Sequence, residues 1–320
     1  MSGGTVLCSV VNDGFTPGFV VMERSLRETN PDWDFPIRVI HSSLNPLSEQ
    51  SIAVIEDHCD NVEFVLADDR MLRPIHTYAR EVIKTPERLF PAFSILEAFQ
   101  WSDADQVIAL DSDMIILGSL EPLRHAVRPF NACRARMTIG NEPAGFFNTG
   151  VMVLNRSLLQ GFHLWDIPTM LGGRKPKRGT GKADQAILNI LFRNEFVGYL
   201  PQRFNYTKRS LQFDLERSDI QLPATTDEIR DFMAARDTRV FHFVGEKPWN
   251  PKIKYSELEH EAAEQIWHDA VYRYGKPSLF ALLEQLRRQW QKRLVAAVRQ
   301  SRAEKPGLVD EAKLNVGMGM

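Results

Sequence analysis

Residues 106–117 have the sequence Gln-Val-Ile-Ala-Leu-Asp-Ser-Asp-Met-Ile-Ile-Leu, in which apolar residues flank a pair of carboxylates on both sides. The run 106–110 predicts a buried strand, with Asp111 and Asp113 at its carboxyl end. Burying an unpaired carboxylate is costly, so a positive group is expected to meet these side chains. Oxygen ligands at the end of a strand suit Mg²⁺ or Mn²⁺. An exposed turn is the alternative interpretation.

Short apolar runs alternate with helical patterns on both sides of this stretch. This rhythm predicts an α/β fold around a mostly parallel sheet. Further strands are predicted at residues 5–11, 37–41, 62–66, 130–137 and 145–155, with another ending at residue 242. Helices are predicted at residues 19–26, 48–58, 91–101 and 186–192, and the polar segment 68–88 predicts a long loop.

The composition narrows the class of protein. The 320 residues are 43% hydrophobic and 25% charged, which indicates a folded chain of one large or two modest domains. The 39 basic and 41 acidic residues give a formal net charge of -2, which argues against a nucleic-acid-binding protein. The three cysteines form no paired motif, so neither disulfides nor a zinc site is expected. With no basic leader and no long apolar run, we expect a cytoplasmic protein.

Two segments between residues 145 and 190 carry candidate site residues. Asn148 precedes a buried run, and its amide offers the donors and the acceptor that sugar hydroxyls require. A turn amide bonded to local backbone is the alternative. Asp184 and Gln185 open a helix, where a carboxylate is stabilised by the positive end of the helix. An N-cap is the simpler interpretation of Asp184.

A third segment follows the strand that ends at His242. The imidazole of His242 could complete a metal site with two carboxylates, or it could be structural. Gly245 would let the backbone approach a ligand closely. Lys247 supplies a point charge suited to a diphosphate. These signals together would serve a single ligand.

Taken in order, these motifs resemble family 8 of the retaining glycosyltransferases, which contains glycogenin, bacterial lipopolysaccharide galactosyl- and glucosyltransferases, and plant glucuronosyltransferases. The resemblance runs from about residue 5 to residue 250. Its motifs are Val10-Val11-Asn12-Asp13-Gly14-Phe15, Asp111-Ser112-Asp113, Phe147-Asn148-Thr149-Gly150, Asp184-Gln185 followed by Ile187-Leu188-Asn189, and His242-x-x-Gly245-x-Lys247-Pro248-Trp249.

The resemblance implies a GT-A fold, in which a Rossmann-like sheet binds a nucleotide sugar. It implies a retaining transfer from a UDP-sugar to a glycan or glycolipid acceptor, such as lipopolysaccharide or another surface polysaccharide. It also implies that Asp111, Asp113 and His242 hold Mn²⁺ or Mg²⁺, with Ser112 inside the donor-binding motif. The implied donor contacts are Val11, Asn12 and Phe15 to uracil and ribose, Gly245 and Lys247 to the phosphates, and Asn148, Asp184 and Gln185 to the reacting sugar.

Two departures from the family pattern bear on the donor. Many members carry an acidic residue in the strand 130–137, where this chain has Arg134 and Arg136. Because arginine pairs bidentately with carboxylates, Arg134 suggests a uronic acid donor such as UDP-glucuronate or UDP-galacturonate. Two solvated arginines beside the site are the alternative. Arg88 is the candidate for the basic residue that contacts the donor from a position before the Asp-Ser-Asp motif, although it lies further from the motif than is usual.

The chain beyond residue 250 predicts a helical extension. We expect a catalytic domain at 1–250, a helical region at 251–305 and a disordered tail at 306–320. Residues 279–305 combine an apolar stripe with a basic face, which suits an anionic membrane surface, packing on the domain, or a homodimer contact. Residues 287–305 hold seven basic residues and one acidic residue, a net +6, so the rest of the chain carries -8.

Two other classes of protein compete with this interpretation. Paired aspartates also occur in haloacid-dehalogenase-type phosphatases, but there they usually follow the first strand of the chain. A phosphatase would leave Asn148, Asp184 and Gln185 unexplained. A protein that binds a sugar nucleotide or a membrane without catalysis is the other alternative.

Overall fold

The computed structural model describes residues 4–136, 143–192, 196–250 and 258–304. The strands are β1 (Thr5–Val10), β2 (Ile37–His41), β3 (Val62–Leu66), β4 (Gln106–Leu110), β5 (Met114–Ile116), β6 (Phe130–Arg136), β7 (Pro143–Asn155), β8 (Val197–Leu200), β9 (Tyr206–Thr207) and β10 (Val240–His242). The α-helices are α1 (Thr16–Thr29), α2 (Glu49–His58), α3 (Asp69–Tyr78), α4 (Glu121–Arg124), α5 (Arg156–Leu159), α6 (Ile167–Leu171), α7 (Asp184–Leu191), α8 (Lys208–Leu215), α9 (Thr226–Ala235), α10 (Leu258–Tyr274) and α11 (Pro277–Glu304).

Seven of these strands form one sheet, in the order β3-β2-β1-β4-β7-β6-β8. The first four are parallel, β7 runs antiparallel to both of its neighbours, and β8 is parallel to β6. The mostly parallel sheet predicted from the sequence is therefore confirmed. Within the described residues, the predicted strands recur with bounds shifted by at most two residues, and Met137 lies outside them.

Both faces of the central sheet are covered, because apolar side chains alternate along its strands. Leu7 and Ile108 face a core that includes α1, α2 and α10. Val6 and Val107 face a second core, beneath α3, α6 and α7. The strand ends are then the places where polar residues can meet a ligand.

A smaller sheet, in the order β5-β10-β9, crosses the end of the main sheet. In its antiparallel pairing, His242 lies opposite Met114, the residue after Asp113. The backbone N–H of Phe243 donates to the carbonyl of Asp113 at 2.9 Å. This pairing fixes the end of β10 beside the carboxylates that follow β4.

The predicted loop at residues 68–88 is wrong. The segment contains α3 and a π-helical turn, Ala79–Ile83. Leu72, Ile75 and Ala79 are buried at helical spacing, but exposed arginines and Pro74 mask this narrow stripe in the sequence. The helix predicted at residues 91–101 is instead a succession of 3₁₀ turns over Glu87–Gln100.

The C-terminal helices pack on the body of the protein. Trp267 on α10 and Leu279 and Leu282 on α11 are buried in the same core as α1. The first two turns of the apolar stripe predicted on α11 are therefore covered by the protein itself. The side chains of Leu294 and Val298, and the tail 306–320, lie outside the described residues. In the described part of the chain, no helix is long and apolar enough to cross a membrane.

Candidate active site

Asp111, Asp113 and His242 meet at the carboxyl ends of β4 and β10. The Nε2 atom of His242 lies 3.2 Å from Oδ1 of Asp113 and 3.6 Å from Oδ2 of Asp111. One ligand atom from each of the three residues falls within 4.8 Å of the other two. A Cβ atom at Gly150 would come within 2.6 Å of the His242 ring, so glycine is required where this ring sits.

The two carboxylates occupy different electrostatic environments. The side chain of Asp113 is buried, whereas half of the Asp111 side chain is exposed. Burial would raise the pKa of Asp113, but the positive charges of His242 and Lys247 hold it well below its usual range. Removal from bulk water, and then repulsion from Asp113, raise the pKa of Asp111 to about 7.

A chain of side-chain amides connects the cluster of Asp111, Asp113 and His242, called the metal-type cluster below, to the residues predicted to contact the sugar. Nε2 of Gln185 donates to the Thr180 carbonyl at 3.1 Å, and its Oε1 accepts from Nδ2 of Asn148 at 2.9 Å. Oδ1 of Asn148 accepts from the backbone N–H of Gly150 at 2.9 Å and from Nδ2 of Asn205 at 2.6 Å. Because both anchors are backbone groups, the direction of every amide in the chain is determined.

This direction determines the protonation of His242. Oδ1 of Asn205 lies 2.9 Å from Nδ1 of His242, and because that oxygen can only accept, Nδ1 carries a proton. The Nε2 atom, which faces the carboxylates, either carries a second proton or offers a lone pair to a cation. This is the orientation that a metal-binding histidine adopts when a neighbour holds its other nitrogen.

The cluster fits a divalent cation. Two carboxylates and one imidazole are a suitable ligand set for Mn²⁺ or Mg²⁺. Among the described side chains, His242 provides the one ion pair to Asp111, so a cation bound there would take the place of this contact. Lys247 forms a close ion pair with Asp113 and donates to the Phe243 carbonyl at 3.0 Å, which places a second positive charge beside the cluster.

Asp184 is the first residue of α7, one position after the N-cap residue Ala183, and its carboxylate accepts a hydrogen bond from the backbone N–H of Gln185. Burial raises the pKa of Asp184, and hydrogen bonding from Thr149 partly offsets this effect. The charge of Asp184 also raises the pKa of Asp111, which puts the two carboxylates in one electrostatic site. Gln185, the next residue, belongs to the amide chain.

The segment after β10 is tied to the turn after β1. Nε1 of Trp249 donates to the Gly14 carbonyl at 2.7 Å, and its ring packs edge-on against Phe15 at 5.9 Å between centroids. Gly18 leaves the room for this contact, since a Cβ there would lie 2.3 Å from the Trp249 ring. Gly245 has φ +85°, a left-handed conformation that favours glycine, with open space around it.

The remaining residues predicted to contact the donor differ in their burial and in their hydrogen bonds. Asn12 and Phe15 are half-buried at the end of β1, whereas Val11 is buried in the core, so any contact from Val11 would be through its backbone. The Ser112 hydroxyl donates to the Val10 carbonyl at 3.3 Å and serves the fold. Arg88 is exposed, and no contact in the described part of the chain connects it to the cluster.

A cavity of about 230 Å³ opens beside the amide chain. Asn148, Gln185 and Asn205 contribute to its wall, and so do Arg134, Arg136 and Arg209. The guanidinium of Arg134 stacks over the Tyr199 ring at 3.9 Å. The structure thus places Arg134 in the wall of the same cavity as Asn148 and Gln185.

Two residues that support the candidate active site were not predicted from the sequence. Asn205, between β8 and β9, connects His242 to Asn148, and no pattern in the sequence marks it. Lys208 forms a buried ion pair with Glu264 at 2.9 Å and donates to the Glu246 carbonyl at 3.1 Å, so it links α10 to the segment that carries Lys247. Both depend on contacts between residues far apart in the chain.

The fold is the GT-A fold of glycosyltransferases. The galactosyltransferase LgtC, solved with donor and acceptor sugar analogues, superposes with a TM-score of 0.61 over 85% of this chain and 96% of its own, at 18% identity. The glycosyltransferase GlyE of Streptococcus pneumoniae TIGR4 gives a TM-score of 0.52 over 89% of this chain and 63% of its own, at 17% identity.

The chain belongs to glycosyl transferase family 8, whose family model matches residues 6–252. It is 24% identical to glycogenin of Neurospora crassa over 75% of its length, and 25% identical to UDP-glucuronate:xylan alpha-glucuronosyltransferase 2 of Arabidopsis thaliana over 49%. The matches span only 30% and 23% of these two relatives. Family membership disfavours the phosphatase alternative, since the paired aspartates belong to a glycosyltransferase domain.

Proposed function

We propose that this protein is a metal-dependent, retaining glycosyltransferase. It would move a hexosyl or hexuronosyl unit from a UDP-sugar to a glycan or glycolipid acceptor. The observation that carries the proposal is the amide chain, which joins the Asp111, Asp113 and His242 cluster to Asn148 and Gln185. One hydrogen-bonded unit would then hold both the diphosphate and the sugar that leaves it.

In this proposal each part of the site has a separate task. A bound divalent cation supplies Lewis-acid stabilisation of the departing diphosphate. Lys247 adds a positive charge at the same place, and Asn12 and Phe15 hold the nucleoside. The cleft between these groups would exclude water from the reacting bond.

Asp184 and Gln185 are the proposed catalytic pair, with Asn148 as the third residue at the reacting sugar. The raised pKa of Asp184, due first to burial, suits a carboxylate that works close to a developing positive charge. Gln185 and Asn148 are held by each other and would orient sugar hydroxyls. Retention of configuration is proposed from the family, without a choice between a covalent intermediate and same-face attack.

Arg134 is the basis for the proposed donor sugar, and the exposed basic face of α11 is the basis for the proposed acceptor. Arg134 shares a cavity with Asn148 and Gln185, so a carboxylate on the transferred sugar would find a cation there, which favours a uronate donor. The exposed basic side chains of α11 are proposed to rest on an anionic membrane, where a glycolipid acceptor would be found.

The direct test is release of UDP from UDP-glucose, UDP-galactose, UDP-glucuronate and UDP-galacturonate, each with Mn²⁺ and with a chelator. We expect turnover only with Mn²⁺. Asp113→Asn should reduce turnover by roughly two orders of magnitude or more, because it removes both a ligand and a charge. Asp219→Asn, an exposed carboxylate outside the cluster, is the matched control.

The same assay separates the alternatives. A phosphatase would leave UDP-sugars intact, and a binding protein would hold UDP without releasing it from the donor. Full turnover by Asp113→Asn in the presence of Mn²⁺ would refute the metal assignment.

A further inference from the structure

The cavity beside the amide chain has an unusual charge. Three arginines contribute to its wall: Arg134 and Arg136 on β6 and Arg209 on α8. No aspartate or glutamate is among the described residues that line it. A site that binds only neutral sugar hydroxyls has no need for three positive charges, because amides and hydroxyls serve that purpose.

Local geometry brings the β6 arginines to the same cavity. Consecutive strand residues normally point to opposite faces, yet Arg134, Ala135 and Arg136 all line it. The pairing of β6 with β7 shifts register between Arg134 and Arg136. Such irregularities change the direction of side chains and are common beside active sites.

One of these arginines has unused hydrogen-bonding capacity. The Nε atom of Arg136 is buried and has no hydrogen-bond partner among the residues that the structure describes. A buried N–H without a partner is costly, so it indicates a group that is supplied by a ligand. A carboxylate or phosphate oxygen is the acceptor that guanidinium groups bind best.

The position of the cavity distinguishes the two substrates. The sugar of a donor is one oxygen away from its diphosphate, so it must remain beside the metal-type cluster. None of Asp111, Asp113 and His242 lines the cavity, which is connected to His242 through Asn205 and Asn148. Arg134 lies opposite Phe147, the neighbour of Asn148, and is therefore the arginine at the donor side of the cavity. A second substrate would therefore be the one to reach Arg136 and Arg209.

We infer that Arg136 and Arg209 bind an anionic group, a carboxylate or a phosphate, on the acceptor glycan. This inference rests on the proposed function and adds the chemical class of the acceptor. The Asn148 and Gln185 side of the cavity would hold the hydroxyl that accepts the sugar, and the arginine side would select acidic glycans over neutral ones.

The test compares three glycosides that differ in one group: p-nitrophenyl β-D-glucoside, its 6-phosphate and p-nitrophenyl β-D-glucuronide. Binding to the full chain is measured by calorimetry with Mn²⁺ and UDP present. We expect at least one anionic glycoside to bind about tenfold more tightly than the neutral one, and the tighter one identifies the group. Arg136→Gln and Arg209→Gln should each reduce this preference to about threefold or less.

Arg128→Gln and Arg217→Gln remove the same charge at exposed positions outside the cavity and should keep the preference. Equal binding of the three glycosides, or an unchanged preference in both cavity variants, would overturn the inference. So would variants that weaken UDP-glucuronate relative to UDP-glucose while the glycoside preference stays, because the arginines would then bind the donor.

Failure of the proposed function has a different signature. If UDP does not bind with Mn²⁺, the donor site is absent, and the glycoside preference is then measured on the nucleotide-free protein. Arg209 is exposed, so Arg209→Gln is expected to fold even if replacing the partly buried Arg136 destabilises the chain.

Discussion

Asn205 is the residue whose role is most sharply defined by its neighbours. Its side chain accepts a hydrogen bond from His242 and donates one to Asn148, and it is fully buried. Asn205→Leu keeps a similar volume but removes both bonds, so the His242 ring loses the partner that orients Nε2. Removing such an outer partner typically costs 10- to 100-fold in metal affinity. We expect a loss of that size in Mn²⁺ titrations with UDP present.

Asn45→Leu is the control, since Asn45 is exposed in a turn. Circular dichroism and thermal melting would show whether the Asn205 variant is folded. Wild-type Mn²⁺ affinity in a folded Asn205→Leu protein would show that the amide chain does not orient the histidine.

At the level of elements, His58 at the end of α2 is hydrogen-bonded to Lys276, the residue before α11. Nδ1 of His58 bonds to the Val54 carbonyl at 2.7 Å, and its Nε2 accepts from the backbone N–H of Lys276 at 2.9 Å. Burial lowers the pKa of His58 below its usual 6.5. The unfolded chain therefore binds a proton at His58 more tightly than the folded chain does. The stabilisation from neutral His58 is complete above pH 6.5 and is lost as the pH falls from 6.5 through the lower pKa of the folded state.

Between about pH 7.5 and about pH 5.5, His58 should therefore contribute a fall in the melting temperature. His58→Gln can still donate to Val54 and accept from Lys276 without titrating, so the melting temperature of the wild type should fall relative to that of this variant over the range. His163→Gln, an exposed histidine, is the control and should follow the wild type. Identical pH profiles for wild type and His58→Gln would exclude this residue as the cause.

The basic face of α11 gives a second prediction at this scale. Arg287, Arg288, Lys292 and Arg293 are exposed. Each basic residue near an anionic membrane contributes about 1 kcal/mol, so charge reversal at all four should abolish flotation with vesicles containing phosphatidylserine. Reversal at Arg73, Lys84, Arg128 and Arg217, also exposed, is the control.

Charge reversal is a cleaner test than truncation. Ending the chain at Lys276 would remove Leu279 and Leu282 from the core and expose what they cover. Unchanged flotation of the α11 variant, or absence of flotation in the wild type, would reject membrane docking.

The elements also show what sequence patterns can predict. Parallel strands such as β2 and β4 were predicted because continuous apolar runs bounded by turns have few alternatives. The helix α3 was missed because its buried stripe has few apolar residues and exposed arginines lie on both sides of it. Asp111, Asp113 and His242 were predictable as residues that follow strands. Asn205 and Lys208 were not, since their partners are set by packing between distant segments.

The whole molecule combines an acidic body with a basic C-terminal stretch, as the charges of -8 and +6 indicate. In the active site this acidity opposes the binding of a diphosphate. Asp111, Asp113 and Asp184 share one electrostatic site, and UDP would add further negative charge beside them. In the proposed function a divalent cation would reverse this repulsion, so UDP and Mn²⁺ should bind cooperatively rather than separately.

Thermal unfolding of the full chain measures this coupling. At a hundred times the dissociation constant, a ligand that binds only the folded state adds about 2.7 kcal/mol of stability. UDP with Mn²⁺ should therefore raise the melting temperature by several degrees, whereas UDP with a chelator should raise it much less. Asp113→Asn should lose the metal-dependent part of the shift, because it lacks a ligand and part of the negative charge. An equal shift with and without Mn²⁺ would mean that Lys247 and the arginines alone neutralise the diphosphate.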